Sequence, residues 1–139
     1  MRCFDTCIII DFLRGRTPEL YDLLEHTDPS RFIVPAVVAG ELYVGAAKSS
    51  NPVHALEAVE EFLLPFEIVP FDNRCAYEYG RIRADLEQRG LRIGSNDMLI
   101  AATARAMNAT LVTNNVREFK RIPGFSLETW DVMDVPPED

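Results

Sequence analysis

What the chain lacks already sets bounds on it. It has no long hydrophobic run: the longest strongly apolar, uncharged stretch covers residues 32–40, far short of the ~20 residues that a membrane-crossing helix needs. Asp5 and Asp11 bracket the apolar stretch Ile8, Ile9, Ile10, so the beginning of the chain does not read as a signal peptide. Cysteine is sparse. Cys3, Cys7 and Cys75 make no even set and no CxxC pair, which argues against a disulfide framework and for a reducing, cytoplasmic setting. Cys3 and Cys7 read as small apolar residues. Positive charge is the minority sign, with 14 Lys and Arg against 22 Asp and Glu and a net charge of −8. Proteins that hold nucleic acid by bulk charge are normally basic. Any such activity here needs a cation or a local basic patch, and the balance favours a basic protein partner. There is no internal repeat, no GxGxxG and no GxxxxGK[ST], which leaves little support for a nucleotide-binding or phosphotransfer protein.

What is present suits one globular domain: 139 residues, 47% apolar and 26% charged. The expected domain covers residues 1–133, followed by a short acidic tail at 134–139 that contains Pro136 and Pro137. Local punctuation predicts alternating strands and helices. A strand at residues 2–4 leads into a helix over 7–14 that Gly15 stops. Thr17-Pro18 and Asn51-Pro52 are cap-plus-proline starts for two further helices. Between them lie a strand at 31–34 and a helix over 37–48. A strand at 66–69 follows, then a long helix from the Asp72 cap to Gly90, and another helix opened by Ser95-Asn96. Residues 109–113 and 125–130 complete the strands. Strands separated by helices imply parallel pairing with right-handed crossovers. The expected fold is a three-layer α/β/α domain around a mostly parallel sheet of four to five strands.

In such a sheet, sites form beyond the carboxyl ends of the strands. Asp5-Thr6 follows the first strand and Thr113-Asn114-Asn115 the fourth. Glu41 lies one turn into the helix after the second strand, and Asp97 in the first turn of the helix before the fourth. Glu41 has Val37, Val38, Val44 and Gly45 at helical spacing, so its carboxylate falls on an apolar, small-residue face. Burying it alone costs several kcal/mol, and Gly40 and Gly45 each cost about 1 kcal/mol of helix propensity. Two readings are open: a bound cation or another chain compensates, or Glu41 lies at the margin of the stripe and reaches water. Asp97 alone is explained by the helix dipole, and an Asp-Thr after a strand is common in α/β proteins. The case rests on acids from separate elements projected to one sheet end, where they repel and need Mg²⁺ or Mn²⁺.

Asp5-Thr6, Pro35 with Gly40-Glu41-Leu42 and Gly45, Ile93-Gly94-Ser95-Asn96-Asp97 with Leu99-Ile100-Ala101-Ala102, and Thr113-Asn114-Asn115 with Glu118-Phe119 and Ile122-Pro123-Gly124 occur in this order. Together they resemble the PIN-domain family, and more narrowly the VapC toxins of bacterial toxin–antitoxin pairs. The resemblance covers nearly the whole chain. It implies a Mg²⁺-dependent endoribonuclease, with Mn²⁺ as a substitute, a VapB-type antitoxin with a basic C-terminal segment, an RNA substrate and a homodimer. It assigns Asp5, Glu41 and Asp97 to the acidic metal site, with Asp5 and Asp97 as the usual direct ligands. Cys7 stands where Asn or Ser is frequent. Asn115 stands where many PIN domains have a fourth acid, and either its carbonyl or Glu118 one turn on fills that place.

On this reading Glu41 orients or deprotonates the attacking water, Asn115 helps orient it, and Thr6 and Thr113 hydrogen-bond the carboxylates. Arg81, Arg83, Arg89 and Arg92 are interleaved with Glu78, Asp85 and Glu87 and read as a solvated helix face, whereas Arg117, Lys120 and Arg121 are better placed to grip phosphates. Tyr43, Tyr77 and Tyr79 suit packing more than base stacking, and His26 and His54 carry no role. The rival reading is a non-catalytic PIN-like interaction module, for which Asn115 is the best support.

Overall fold

Cys3, Phe4, Ile33, Val34, Leu111 and Val112 are almost completely hidden from solvent. Such short, continuously apolar runs are what strands covered on both faces require. The structure, a computed structural model, describes residues 1–130. The expected tail at 134–139 and the last residues assigned to the domain lie outside the described residues. Five strands form one sheet in the order β3-β2-β1-β4-β5. They are β1 (Arg2–Phe4), β2 (Phe32–Pro35), β3 (Glu67–Val69), β4 (Thr110–Val112) and β5 (Leu127–Glu128). Every pairing is parallel, with Cys3 opposite both Ile33 and Leu111, and Phe4 opposite Val112. The expected "mostly parallel" sheet of four to five strands is thus wholly parallel and five-stranded.

The chain runs outward from β1 through β2 to β3, then returns to the other side of β1 for β4 and β5. The strand order therefore reverses between β1 and β4, and the crevice beyond their carboxyl ends is where this architecture places ligands. The connecting helices are α1 (Thr6–Leu13), α2 (Pro18–Glu25), α3 (Ala36–Ala47), α4 (Pro52–Leu63), α5 (Asn73–Gln88), α6 (Ser95–Ala106) and α7 (Val116–Phe119). Among the described residues no helix is long and apolar enough to cross a membrane.

Local chemistry accounts for most boundaries. Asn51 and Asp72 cap α4 and α5 by accepting from the amides of His54 and Cys75. Gly15 and Gly90 end α1 and α5 with φ of +68°, a left-handed conformation that glycine adopts without a Cβ penalty. The amides of Arg16 and Leu91 then return to the carbonyls of Asp11 and Leu86. Two starts differ from the sequence reading. Thr17 precedes α2, but its hydroxyl caps nothing and is buried without a partner. In α6 the cap position is Gly94, and Ser95 is already helical. The one-turn α7 and a 3-10 turn at Pro29–Arg31 carry too few residues to register as a periodic pattern.

Two packing features position the site. Phe4 stacks on Phe32 with ring centroids 5.0 Å apart, while Phe62, Phe66 and Trp130 close around it edge-on. This aromatic cluster anchors the middle of the sheet. The buried face of α6 is built from Ile100, Ala101, Ala102, Thr103 and Ala104. Such small side chains permit close approach, and α6 packs against both α5 and α3. Helix α3 in turn packs against α1, so α3 links α1 to α6. Among the described residues nothing lies within 4 Å of where a Cβ would stand at Gly40 or Gly45, and Tyr43 and Val44 beside them are exposed.

Candidate active site

Asp5 leaves β1 and caps α1, its Oδ1 accepting from the Thr6 amide at 2.8 Å. It is only 4% exposed, so its other oxygen needs partners too. Oδ2 accepts from the Thr113 hydroxyl at 2.6 Å and from the Cys7 thiol at 3.4 Å. Burial first, and the Asp5 charge second, push the Cys7 thiol up to about 11. The thiol therefore stays protonated and serves as a donor rather than a nucleophile. Sequence reasoning missed this contact, because a cysteine two residues after an aspartate carries no distinctive pattern.

The Thr6 side chain turns to the neighbouring helix and donates to Glu41 Oε1 at 2.8 Å. The Glu41 carboxylate is thus partly buried and held by Thr6, a contact that leaves both readings of its spacing open. Thr6 links Asp5 and Glu41, donating to one through its amide and to the other through its hydroxyl. Both expected threonine contacts to carboxylates are present.

Asp97 occupies the first turn of α6 and is partly buried. Its carboxyl is pushed up to about 7, by burial first, then by the Asp5 charge, a hydrogen bond with Glu118, the Glu118 charge and the Glu41 charge. Acids from α1, α3, α6 and α7 thus act on one another across the end of the sheet. Gly94 leaves room for the group: a Cβ there would lie 3.3 Å from Asp97 Oδ2.

The Asn115 side chain is engaged by Glu118. Its Nδ2 donates to Glu118 Oε2 at 3.1 Å, and its backbone amide donates to Thr113 Oγ1 at 2.9 Å. Asn115 therefore holds Glu118, and Glu118 is the acid that meets Asp97. The signal for Glu118 was its position one turn beyond Asn115. Asn114 faces Asp11, donating to it at 3.0 Å.

Among the described residues no three acidic, histidine or cysteine side chains already close into one coordination shell. The acids meet in pairs and through shared fields. In kind the donor set fits a hard divalent cation: it consists of carboxylate oxygens steadied by hydroxyl and amide donors. The one sulfur present points its proton at Asp5.

The shift at Asp97 has a sign that can be tested. A carboxyl raised in the folded state stabilises the fold below its ordinary pKa near 4, and that contribution is lost as pH rises through about 7. In chelated protein the thermal midpoint should fall between pH 5 and 8. His26 is raised by Asp22 and titrates in the same sense, so the comparison is with Asp97→Asn, whose midpoint should fall less. Equal pH profiles for the two proteins would contradict the shift.

Comparison with known proteins adds an independent line. The family model for the PIN domain matches residues 2–124. A protein of Rickettsia felis named Ribonuclease VapC2 is 42% identical over 128 residues, spanning 91% of this chain and 96% of the relative. The tRNA(fMet)-specific endonuclease VapC of Salmonella typhimurium is 36% identical over 126 residues, spanning 91% and 93%. Among solved structures, VapBC2 of Rickettsia felis bound to a promoter DNA fragment superposes with a TM-score of 0.88 at 39% identity, covering 94% of this chain and 98% of that one. DNA-bound VapBC of Salmonella typhimurium also gives 0.88, at 33% identity and 93% and 97% coverage.

Proposed function

The chain belongs to the PIN-domain family, and from that premise we propose that it is a divalent-metal-dependent endoribonuclease, the VapC-type toxin of a toxin–antitoxin pair. The observation that carries this reading is the set of acids at the β1–β4 switch point, where Asp5, Glu41 and Glu118 all press on Asp97. The relatives' names, Ribonuclease VapC2 and tRNA(fMet)-specific endonuclease VapC, support the same activity.

Asp5 and Asp97 would hold Mg²⁺ or Mn²⁺, directly or through water, with Glu41 beside them. When bound, the cation supplies charge neutralisation for the scissile phosphate and lowers the cost of ionising water. Glu41 accepts the proton of the attacking water, and the Thr6 hydroxyl fixes which of its oxygens is free to do so. Thr113 and Cys7 aim the Asp5 carboxylate. Asn115 acts through Glu118, by holding it against Asp97.

The same acidity accounts for a VapB-type partner. A basic side chain, most simply an arginine, fits among these carboxylates and takes the place of the cation. The exposed small-residue face of α3, around Gly40, Tyr43 and Gly45, is the surface left open for a further chain, including a second copy.

The direct test incubates the purified protein with cellular RNA pools, transfer RNA first, with Mg²⁺, with Mn²⁺ and with chelator. Cleavage should appear with either cation and vanish on chelation. Intact RNA in every arm, together with no Mg²⁺ or Mn²⁺ binding by titration, would instead make this a non-catalytic interaction module.

A further inference from the structure

A groove of about 540 Å³ opens between the end of α5 and the start of α6. Leu86, Ile93 and Met98 form its buried apolar floor, with Leu91 partly buried beside them, and Arg83 and Arg92 stand on its rim. Ile93 and Met98 bracket the segment that carries Gly94 and Asp97. The groove is thus joined to the acid cluster through the backbone, Met98 on its floor being the residue next to Asp97.

The two rim arginines differ. The Arg83 guanidinium is engaged, donating to Glu87 at 2.8 Å and to the Tyr79 hydroxyl at 2.7 Å. The Arg92 side chain is exposed and has no acceptor among the described residues. Its backbone, by contrast, is tied down. The Arg89 guanidinium donates to the Arg121 carbonyl, and the Arg121 guanidinium donates to the Arg92 carbonyl. This reciprocal clasp binds the loop after α5 to the segment after α7, which carries Glu118. It fixes the loop while leaving the Arg92 guanidinium unspent.

We propose that this groove binds the single-stranded RNA next to the bond that is cut, with Arg92 on a flanking phosphate and a base against the floor of Leu91, Ile93 and Met98. The inference rests on the ribonuclease reading and extends it to the substrate path. Charge complementarity selects the occupant. In a chain of net charge −8, a polyanion approaching four carboxylates needs a compensating cation along its path, and Arg92 is an unneutralised one on the rim of the groove, five residues before Asp97 in the chain. The other arginines expected to form a solvated face do so: Arg81 pairs with Glu78 and Arg89 with Asp85.

The test is fluorescence anisotropy with a labelled ten-nucleotide single-stranded RNA, in chelator so that binding is read without cleavage. Arg92→Ala should weaken binding about 10-fold and reduce the salt slope by about 0.7, the value for one phosphate contact on a single strand. Arg92→Lys should recover most of the slope. Arg81→Ala, on α5 and outside the groove's lining, should match the wild type. In the cleavage assay Arg92→Ala should raise KM and leave kcat nearly unchanged. Affinity within 2-fold of wild type and an unchanged slope would overturn the proposal. RNA binding that depends on Arg92 in a protein that cuts no RNA would keep the groove and discard the nuclease reading.

Discussion

Asp97→Asn is expected to lower RNA cleavage by at least about 100-fold while leaving the fold intact. Residues that merely orient metal ligands typically cost 10- to 100-fold when changed, and Asp97 is proposed to hold the cation itself, directly or through water. The same substitution should not unfold the protein. Asp97 is crowded by the charges of Asp5, Glu118 and Glu41, so a neutral amide removes repulsion and still offers Glu118 a donor. Against this stands the loss of a negative charge in the first turn of α6, worth about 0.3–1 kcal/mol. The two effects nearly cancel. Cleavage and thermal unfolding measured on one nuclease-free preparation check both halves. Retained cleavage would remove Asp97 from the site, and a collapsed melting profile would make it a structural residue.

Phe4→Ala is expected to have the largest effect on stability, about 3–5 kcal/mol. Phe4 is fully buried in the central strand and touches four aromatic rings from β2, α4, the chain beyond it and the residues after β5. Its neighbours belong to different elements, so the void cannot close by moving one of them. The midpoint of thermal unfolding should fall by on the order of 10 °C. Leu64→Ala, at a residue 85% exposed, is the matched control and should stay within about 0.5 kcal/mol. A Phe4→Ala loss of less than about 1.5 kcal/mol in urea unfolding would mean that the cluster is not the anchor described here.

Most of the elements were legible because their signals are local. Asn51 and Asp72 cap helices, and Gly15 and Gly90 end them, through contacts spanning a few residues. The sequence signal weakened where the deciding contact was not local. Ser95-Asn96 looked like a cap, yet the helix begins at Ser95 behind Gly94, whose missing side chain leaves space for Asp97. The last strand was expected over 125–130, but only Leu127–Glu128 pairs, because β4 offers it just Leu111 and Val112 as partners. At the site, the types and order of Asp5, Glu41 and Asp97 suggested a cation, and spacing alone left Glu41 open and did not single out Thr6 as the residue that holds it. The choice between Asn115 and Glu118 was likewise undecidable along the chain. It depends on side-chain directions at the start of α7, where the Asn115 amide donates to Glu118 and ties the two together.

By itself the sequence determined an α/β fold with acids at strand ends and helix starts, because hydrophobic period, caps and turn residues act over one or two helical turns. Only the tertiary structure decided that those acids converge, that Thr6, Thr113 and Cys7 orient them, and that Arg92 is left without a partner. Those outcomes follow from the strand order, which reverses at β1 and β4, and from helices packed side by side that lie far apart in the chain. No local rule specifies either.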